Sequence, residues 1–211
     1  MAARQLGSDA PIREFMASLA SAESTQGAVS AAAVAGAMGT SLLLMTASLP
    51  TTRSDSVDER KALLRAGAAL ADVQEELIET IEGETLVKLF AARSMPQASQ
   101  AERSQREAAI QLALRSAADV PLEIIRLCAS GLQHANTVAA SCSRAAGSEV
   151  ELAVALLRVA VTGARSNLEG RLSSLVDVVY TKAVVEEIVR LSDEATTAAR
   201  AAEISVQRPP A

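Results

Sequence analysis

The sequence predicts an all-α protein, a single-domain antiparallel bundle of five to seven helices. Hydrophobic residues make up 49% of the 211 residues but aromatic residues only 1%, so the core must consist of Ala, Leu, Val and Ile. These side chains suit close helix–helix packing. The chain also has only 10 glycines and 6 prolines to interrupt helices, and no segment shows a convincing strand pattern.

The first two predicted helices have clear boundaries. One begins after Asp9, with Pro11 in its first turn, and runs to about Ala22. The other covers roughly residues 27–49 and stops before Pro50, because a residue that precedes proline avoids the helical conformation. Small residues recur every four positions in this second helix, which indicates close packing in the core or against a second copy.

A third and a fourth helix follow. The third should run over about residues 57–93 after a cap at Asp55 or Ser56, and it carries a heptad-like apolar stripe. The fourth begins near Ala98 and meets Pro121, which kinks or ends it before the helical pattern resumes.

Two more helices complete the prediction. Ser148 should cap a helix over residues 149–168, with Glu151 at the N3 position of a capping box. The last helix should span about residues 173–201. No repeat and no linker separates a second domain, so we expect the following organisation: a flexible N-terminus (1–9), one helical domain (10–203) and a flexible C-terminal tail (204–211).

Charge and hydropathy exclude two classes of protein. The net charge is −5, basic residues are scattered and aromatic stacking platforms are missing, which argues against nucleic-acid binding. Residues 24–52 carry no charge, but they are rich in Ala, Gly, Ser and Thr and lack flanking basic clusters. We therefore interpret this stretch as a core helix, expect no membrane partner and no signal pattern, and predict a cytoplasmic protein.

Cysteine and histidine usage indicates neither a disulfide nor a metal site. Cys128 and Cys142 would lie about 21 Å apart on one continuous helix, far beyond the reach of a disulfide. His134 is the only histidine and has no second ligand at helical spacing. Phosphate-binding and dinucleotide-binding fingerprints are also missing, so we expect no metal and no required cofactor.

The stretch STQGAVS at 24–30 is ambiguous when it is considered alone. It contains one glycine, two kinds of hydroxyl side chain and no charge, and it precedes a long apolar helix. These residues are consistent with an ordinary helix cap and with a glycine-containing ligand loop.

Five segments occur in a characteristic order: IREFMASLAS followed by STQGAVSAAAVAGAMGTSLLLM, then ETIEGETLVKLF at 79–90, REAAIQLALRSAADVPLE at 106–123 and SEVELAVALLRVAVTGARSNL at 148–168. Their order resembles the cyclodeaminase/cyclohydrolase family, which includes the C-terminal domain of formiminotransferase-cyclodeaminase and stand-alone methenyltetrahydrofolate cyclohydrolases. The family pattern begins with a short F-L-x-x-L-A-S helix, a P-T-P-G-G-G-S loop and an A-A-L-A-G-A-L-G-A-A-L helix.

The resemblance implies an all-helical fold that forms a homodimer, with a folate pocket near the interface. The implied chemistry closes formimino- to methenyl-tetrahydrofolate with loss of ammonia, or hydrolyses the methenyl bridge. The resemblance then implies that no cofactor is required and that the substrate is a small molecule, such as a tetrahydrofolate derivative. The implied catalytic carboxylates are Glu84 and Glu82, and the implied substrate-binding residues are Thr25, Gln26, Gly27, Ser30, Arg53, Ser148, Glu149 and Asn167.

Several of these positions depart from the family pattern. Ala28 and Val29 replace two loop glycines, and a β-branched valine resists positive φ, so the loop should be regularised into the second helix. Arg53 stands at a lysine position and keeps its positive charge, and Arg171 stands where the family has the second asparagine of N-V-x-I-N-L.

Because polar positions have changed together while the apolar scaffold is kept, our main interpretation from sequence is a re-tasked enzyme. It would catalyse a cyclisation, dehydration or C–N bond reaction on a non-folate molecule. The first alternative is a methenyltetrahydrofolate cyclohydrolase or formiminotetrahydrofolate cyclodeaminase. The further alternative is a non-catalytic binding or dimerisation module, since a fold does not fix a function.

Overall fold

The structure, a computed structural model, describes residues 12–21, 27–52, 56–80 and 85–207, with only the backbone of 85–87. This part of the chain contains seven α-helices and no strand, which confirms the all-α prediction. The helices are α1 (Ile12–Leu19), α2 (Gly27–Ser48), α3 (Val57–Glu79), α4 (Thr85–Arg93), α5 (Gln100–Ser141), α6 (Gly147–Leu172) and α7 (Val178–Gln207).

Helix α2 is the central element and packs against α3, α5 and α6. Glycines permit these close contacts. A Cβ atom on Gly36 would lie 2.8 Å from the Cys128 sulfur, and one on Gly39 would lie 2.8 Å from the Ala153 carbonyl oxygen. The small residues of α2 therefore serve intramolecular packing, one of the two roles that their spacing indicates.

Contacts along α2 fix the directions of its neighbours. Gly36 meets Leu77 while Ser41 accepts a hydrogen bond from Gln74, so α3 runs antiparallel to α2. Helix α5 runs parallel to α2, since Gly36 meets Cys128 and Thr40 meets Gly131.

Helix α6 is antiparallel to α2, because Gly39 meets Leu157 and Ala32 meets Gly163. Helix α7 lies against α5 and α6 and runs parallel to α5, since Arg115 pairs with Asp177 and Arg126 with Glu187. The antiparallel arrangement predicted from sequence therefore holds for α2–α3 and α2–α6 but not for α2–α5 and α5–α7. Arg126 of α5 donates hydrogen bonds to both carboxylate oxygens of Glu187 on α7, at 2.8 and 3.0 Å.

The core is aliphatic, as the composition predicts. The largest fully buried side chains are Leu, Ile and Val, and Phe15 is the one buried aromatic side chain of the described residues. Ser56 and Ser99 cap α3 and α5, and each forms a capping box with the glutamate three residues later. The predicted cap at Ser56 is therefore confirmed, while Asp9, Pro11 and Asp55 lie outside the described residues.

Three helix boundaries differ from the prediction. The last helix, α7, spans Val178–Gln207 and not about residues 173–201. The continuous third helix over 57–93 is wrong: α3 ends at Glu79 and α4 begins at Thr85. Ser148 is not a cap, because a 3₁₀ turn over Arg144–Ala146 leads directly into α6, and the Ser148 hydroxyl donates to Glu149 at 2.8 Å.

Helix α5 continues through Pro121 without ending. This proline has no N–H, so the carbonyl of Ala117, four residues earlier, lacks its helical donor. A side chain of α6 supplies the missing hydrogen bond, as described below.

One helix of the described residues, α2, is long and apolar enough to cross a membrane when only length and composition are considered. The core helix of a globular bundle meets the same criteria. The packing of α2 against three neighbouring helices is the arrangement expected for such a core helix.

Candidate functional site

The N-terminal end of α2 gathers segments from four helices. Because α5 is parallel to α2 while α3 and α6 are antiparallel, this end faces the last turn of α3 at Thr80, the Ala117–Pro121 turn of α5 and the Asn167–Arg171 turn of α6. The family resemblance places its ligand loop at residues 24–30, which enter α2 here. We refer to these four segments as the α2-N end.

Helix α2 begins at Gly27, within the stretch 24–30 that resembles the ligand loop of the family. Residues 27–30 are already helical, which confirms that this part of the loop has been regularised. Ser30 is buried at 4% exposure. A Cβ atom on Gly27 would meet nothing within 4 Å, so open space lies beside the first residue of the helix.

Arg171 links two of the elements at this end, α6 and α5. Its Nη1 donates to the carbonyl of Ala117 at 2.6 Å, which is the acceptor that Pro121 leaves without a helical donor. Its Nε donates to Oδ1 of Asn167, also at 2.6 Å. The Asn167 amide is therefore fixed with its oxygen engaged, and its NH₂ group remains available as a donor.

The charge of Arg171 has no ionic partner in the part of the chain that the structure describes. Its guanidinium is half-buried, and desolvation by burial lowers the pKa of Arg171. Both of its hydrogen-bond acceptors are neutral. The other arginines of α6 that lie near a carboxylate, Arg158 and Arg165, pair with Glu203 and Glu169.

Ser148 and Glu149 lie at the opposite end of the molecule. They belong to the first turn of α6, which faces the C-terminal half of α2, and Ser143 just before it contacts Thr51 at 3.4 Å. Helix α2 is about 32 Å long at 1.5 Å rise per residue. One protomer therefore does not bring Ser148 and Glu149 together with Ser30 and Asn167.

Five predicted site residues lie outside the described part of the chain: Thr25, Gln26, Arg53, Glu82 and Glu84. The described neighbours show where three of these segments connect. Thr80, which precedes Glu82 and Glu84 in the chain, and Gly27, which follows Gln26, both belong to the α2-N end. Thr52 precedes Arg53 at the other end of α2.

No group of three metal-ligating side chains occurs among the described residues. His134 is half-buried on α5, and both cysteines are free thiols, with Cys128 buried in the core and Cys142 partly exposed. The prediction that the two cysteines form no bridge within a helix is confirmed.

A separate concavity of about 310 Å³ lies between α6 and α7. Its hydroxyl groups on Thr162, Ser192 and Thr196 donate to carbonyls of their own helices, and its two arginines pair with glutamates. The charge of each of these arginines is therefore compensated by a carboxylate, in contrast to that of Arg171.

Sequence reasoning noted Arg171 only as a departure from the family pattern and missed its bond to Ala117. The proline inside the fifth helix is a signal in the sequence from which this hydrogen bond could have been predicted. A proline inside a helix frees a carbonyl, and a buried carbonyl must be paired with a donor from another element.

Comparisons with known proteins identify the family and the fold of the chain. A family model described as formiminotransferase-cyclodeaminase matches residues 11–190. A methenyltetrahydrofolate cyclohydrolase from Methylorubrum extorquens is 28% identical over 190 residues, which cover 87% of this chain and 89% of that protein. The crystal structure of formiminotetrahydrofolate cyclodeaminase from Thermotoga maritima superposes with a TM-score of 0.82 at 19% identity, covering 94% of this chain and 96% of that chain. The chain therefore belongs to the formiminotransferase-cyclodeaminase family.

Proposed function

We propose that this protein is a methenyltetrahydrofolate cyclohydrolase, which hydrolyses the one-carbon bridge of a tetrahydrofolate derivative. The observation that carries the proposal is the near full-length similarity to the Methylorubrum extorquens cyclohydrolase. The interpretation from sequence, a reaction on a non-folate molecule, finds no support in the comparisons. The first alternative therefore replaces it.

The reaction sets defined chemical requirements. Water adds to the cationic methenyl carbon, one C–N bond of the bridge breaks, and a formyl group stays on the other nitrogen while one proton is released. A general base must take the proton of the water, and hydrogen-bond donors must hold the one-carbon centre in place.

The α2-N end supplies candidates for both tasks. Asn167 presents an NH₂ donor because its oxygen is held by Arg171, and the buried Ser30 hydroxyl lies on the same end of α2. We assign the general base to Glu84 or Glu82, which follow Thr80 in the chain. Thr25, Gln26 and Gly27 complete the binding loop in this proposal.

A homodimer would reconcile the two groups of predicted residues. Helix α2 carries no charge, and Ala31, Met38 and Met45 form an exposed apolar stripe seven residues apart. In a two-fold dimer with antiparallel α2 helices, the C-terminal end of one α2 meets the N-terminal end of the other. Ser148, Glu149 and Arg53 of one protomer would then approach the α2-N end of its partner.

The activity test follows the ultraviolet absorbance of 5,10-methenyltetrahydrofolate in the presence of purified protein. We expect hydrolysis faster than in buffer, and we expect Glu84→Gln to abolish the acceleration if this carboxylate is the base. Glu75→Gln, at an exposed position of α3, is the matched control and should retain full activity.

The outcomes separate the competing functions. Ammonia release from formiminotetrahydrofolate, without methenyl hydrolysis, would identify a cyclodeaminase instead. No acceleration of either reaction at high protein concentration would refute a folate enzyme and return the non-folate interpretation. An active Glu84→Gln variant would transfer the general-base assignment to Glu82.

A further inference from the structure

Arg171 has donors left over after its structural contacts are counted. A guanidinium carries five N–H groups, and the contacts to Ala117 and Asn167 use one on Nη1 and the one on Nε. Three N–H groups remain, two of them on Nη2. The structural bond to Ala117 needs only a neutral donor, so it does not account for a half-buried positive charge at this position.

The described residues around Arg171 leave that charge uncompensated. No carboxylate of the described residues lies within 4.0 Å of it, whereas Arg158 and Arg165 on the same helix each have one. The nearby N-terminal end of α2 contributes positive dipole charge, and its first turn contains no acidic residue. Burying an unpaired cation is costly, and an anionic ligand would offset that cost.

The position of Arg171 is also suited to contact with a ligand. Asn167, which it orients, lies level with the first turn of α2, because Ala32 packs against Gly163 one turn earlier. Arg171 lies one further turn along α6, close to the C-terminal end of that helix. Its two contacts fix the guanidinium, so the free N–H groups have a defined direction.

We propose that Arg171 is a specificity-determining residue that binds a carboxylate of the glutamate tail of the folate substrate. This inference rests on the proposed function. Arg171 forms charge-assisted hydrogen bonds through its free N–H groups, while its contacts to Ala117 and Asn167 hold it in place. It discriminates substrates that carry the glutamate from substrates that lack it, and it takes no part in the proton transfers.

The test compares two stable probes by calorimetry: 5-formyltetrahydrofolate and 5-formyltetrahydropteroate, which lacks the glutamate. The wild-type protein should bind the glutamate-bearing probe more tightly, and added salt should reduce this preference. Arg171→Gln should weaken binding of that probe about tenfold to a hundredfold and leave binding of the glutamate-free probe nearly unchanged.

Two further variants keep the result interpretable. Arg165→Gln, which removes an exposed α6 arginine paired with Glu169, is the matched control and should bind both probes as the wild type does. Arg171→Lys keeps the positive charge and should retain part of the preference, which covers the case in which Arg171→Gln fails to fold.

Each remaining outcome overturns the inference. Equal weakening of both probes by Arg171→Gln would reduce Arg171 to a structural residue, and equal binding of both probes by the wild type would refute the discrimination. If the wild type hydrolyses the methenyl bridge in these cases, only this inference fails. If the wild type binds neither probe and hydrolyses nothing, the proposed function fails with it.

Discussion

Thr181, in the first turn of α7, is a residue whose side chain should destabilise the folded state. Its hydroxyl is buried and is the one buried side-chain polar atom of the described residues without a hydrogen-bond partner. A buried polar group without a partner destabilises the folded state by its desolvation cost. The same shape without the hydroxyl is available in valine.

We therefore expect Thr181→Val to raise the free energy of unfolding by about 1 kcal/mol, measured by urea denaturation. Thr196→Val is the control, because the Thr196 hydroxyl is exposed and donates to the Ser192 carbonyl at 2.8 Å. Thr196→Val should not raise the free energy of unfolding. A destabilised Thr181→Val variant would show that the hydroxyl has a partner in solution.

The two cysteines differ in chemical environment. Burial in the core raises the pKa of Cys128 to about 12, and burial also raises the pKa of the partly exposed Cys142. A thiol reacts as its thiolate, so the folded protein should have almost no reactive Cys128 at pH 8.

We expect a disulfide reagent at pH 8 to modify Cys142 slowly and Cys128 only when the protein unfolds, as measured by peptide mass spectrometry. The Cys142→Ser variant should then label at the rate of global unfolding. Labelling of Cys128 at the rate of a free thiol would contradict its position between α2, α3 and α5.

At the scale of single elements, α2 has the least steric tolerance. A Cβ atom on Gly39 would lie 2.8 Å from the Ala153 backbone oxygen and 3.0 Å from Leu157. Backbone cannot yield as a flexible side chain does, so Gly39→Ala must separate α2 from α6. We expect a loss of roughly 1–3 kcal/mol in the free energy of unfolding.

The matched control for this prediction is Gly67→Ala in α3. A Cβ atom there would meet nothing within 4 Å, and alanine is the better helix former. This variant should be more stable by up to about 1 kcal/mol. Equal melting curves for Gly39→Ala and the wild type would show that α2 and α6 are packed less closely than described.

The α5–α7 pair depends on a charge contact whose strength should change with pH. Hydrogen bonding to Arg126 lowers the pKa of Glu187. Its stabilisation is fully present above the unfolded-state pKa, about 4.3, and is lost as pH falls through the lower folded-state pKa. At neutral pH we expect Glu187→Gln to lose about 1 kcal/mol, a difference that vanishes in acid.

Chemical denaturation of the wild type and of Glu187→Gln, from about pH 7 down to about pH 2, measures this difference in the free energy of unfolding. Glu186→Gln is the control, since Glu186 is 69% exposed and pairs loosely with Lys182 at 3.9 Å. It should behave as the wild type throughout. A Glu187→Gln penalty that persists at the acid end would assign the contribution of Glu187 to packing.

At the scale of the whole molecule, the apolar stripe on α2 should determine the oligomeric state. If α2 pairs with its copy, a charge at the centre of the stripe opposes association. Sedimentation should then show a dimer for the wild type and a monomer for Met38→Glu. Val179→Glu, on α7 at 82% exposure, is the control and should remain dimeric. A monomeric wild type would remove the homodimer from the proposed function.

The class of fold was predictable from sequence, but several local features were not. Proline, capping residues and helical periodicity are local signals, so the start of α3 at Ser56 and the end of α2 before Pro50 were found. The break after Glu79 was missed because the apolar pattern continues past it. The separation of Ser148 from Ser30 depends on the direction of α6 relative to α2, which no local pattern records.

The hydrogen bond between Arg171 and Ala117 also constrains the order in which substitutions can accumulate during evolution. If Arg171 is replaced by an apolar residue while Pro121 remains, a buried carbonyl is left unpaired, at a cost of about 1–3 kcal/mol. If Pro121 is first replaced by alanine, the new N–H pairs with that carbonyl and Arg171 becomes free to change. Lineages descended from this protein should therefore lose the proline before the arginine, and the two positions should covary despite their distance in the chain.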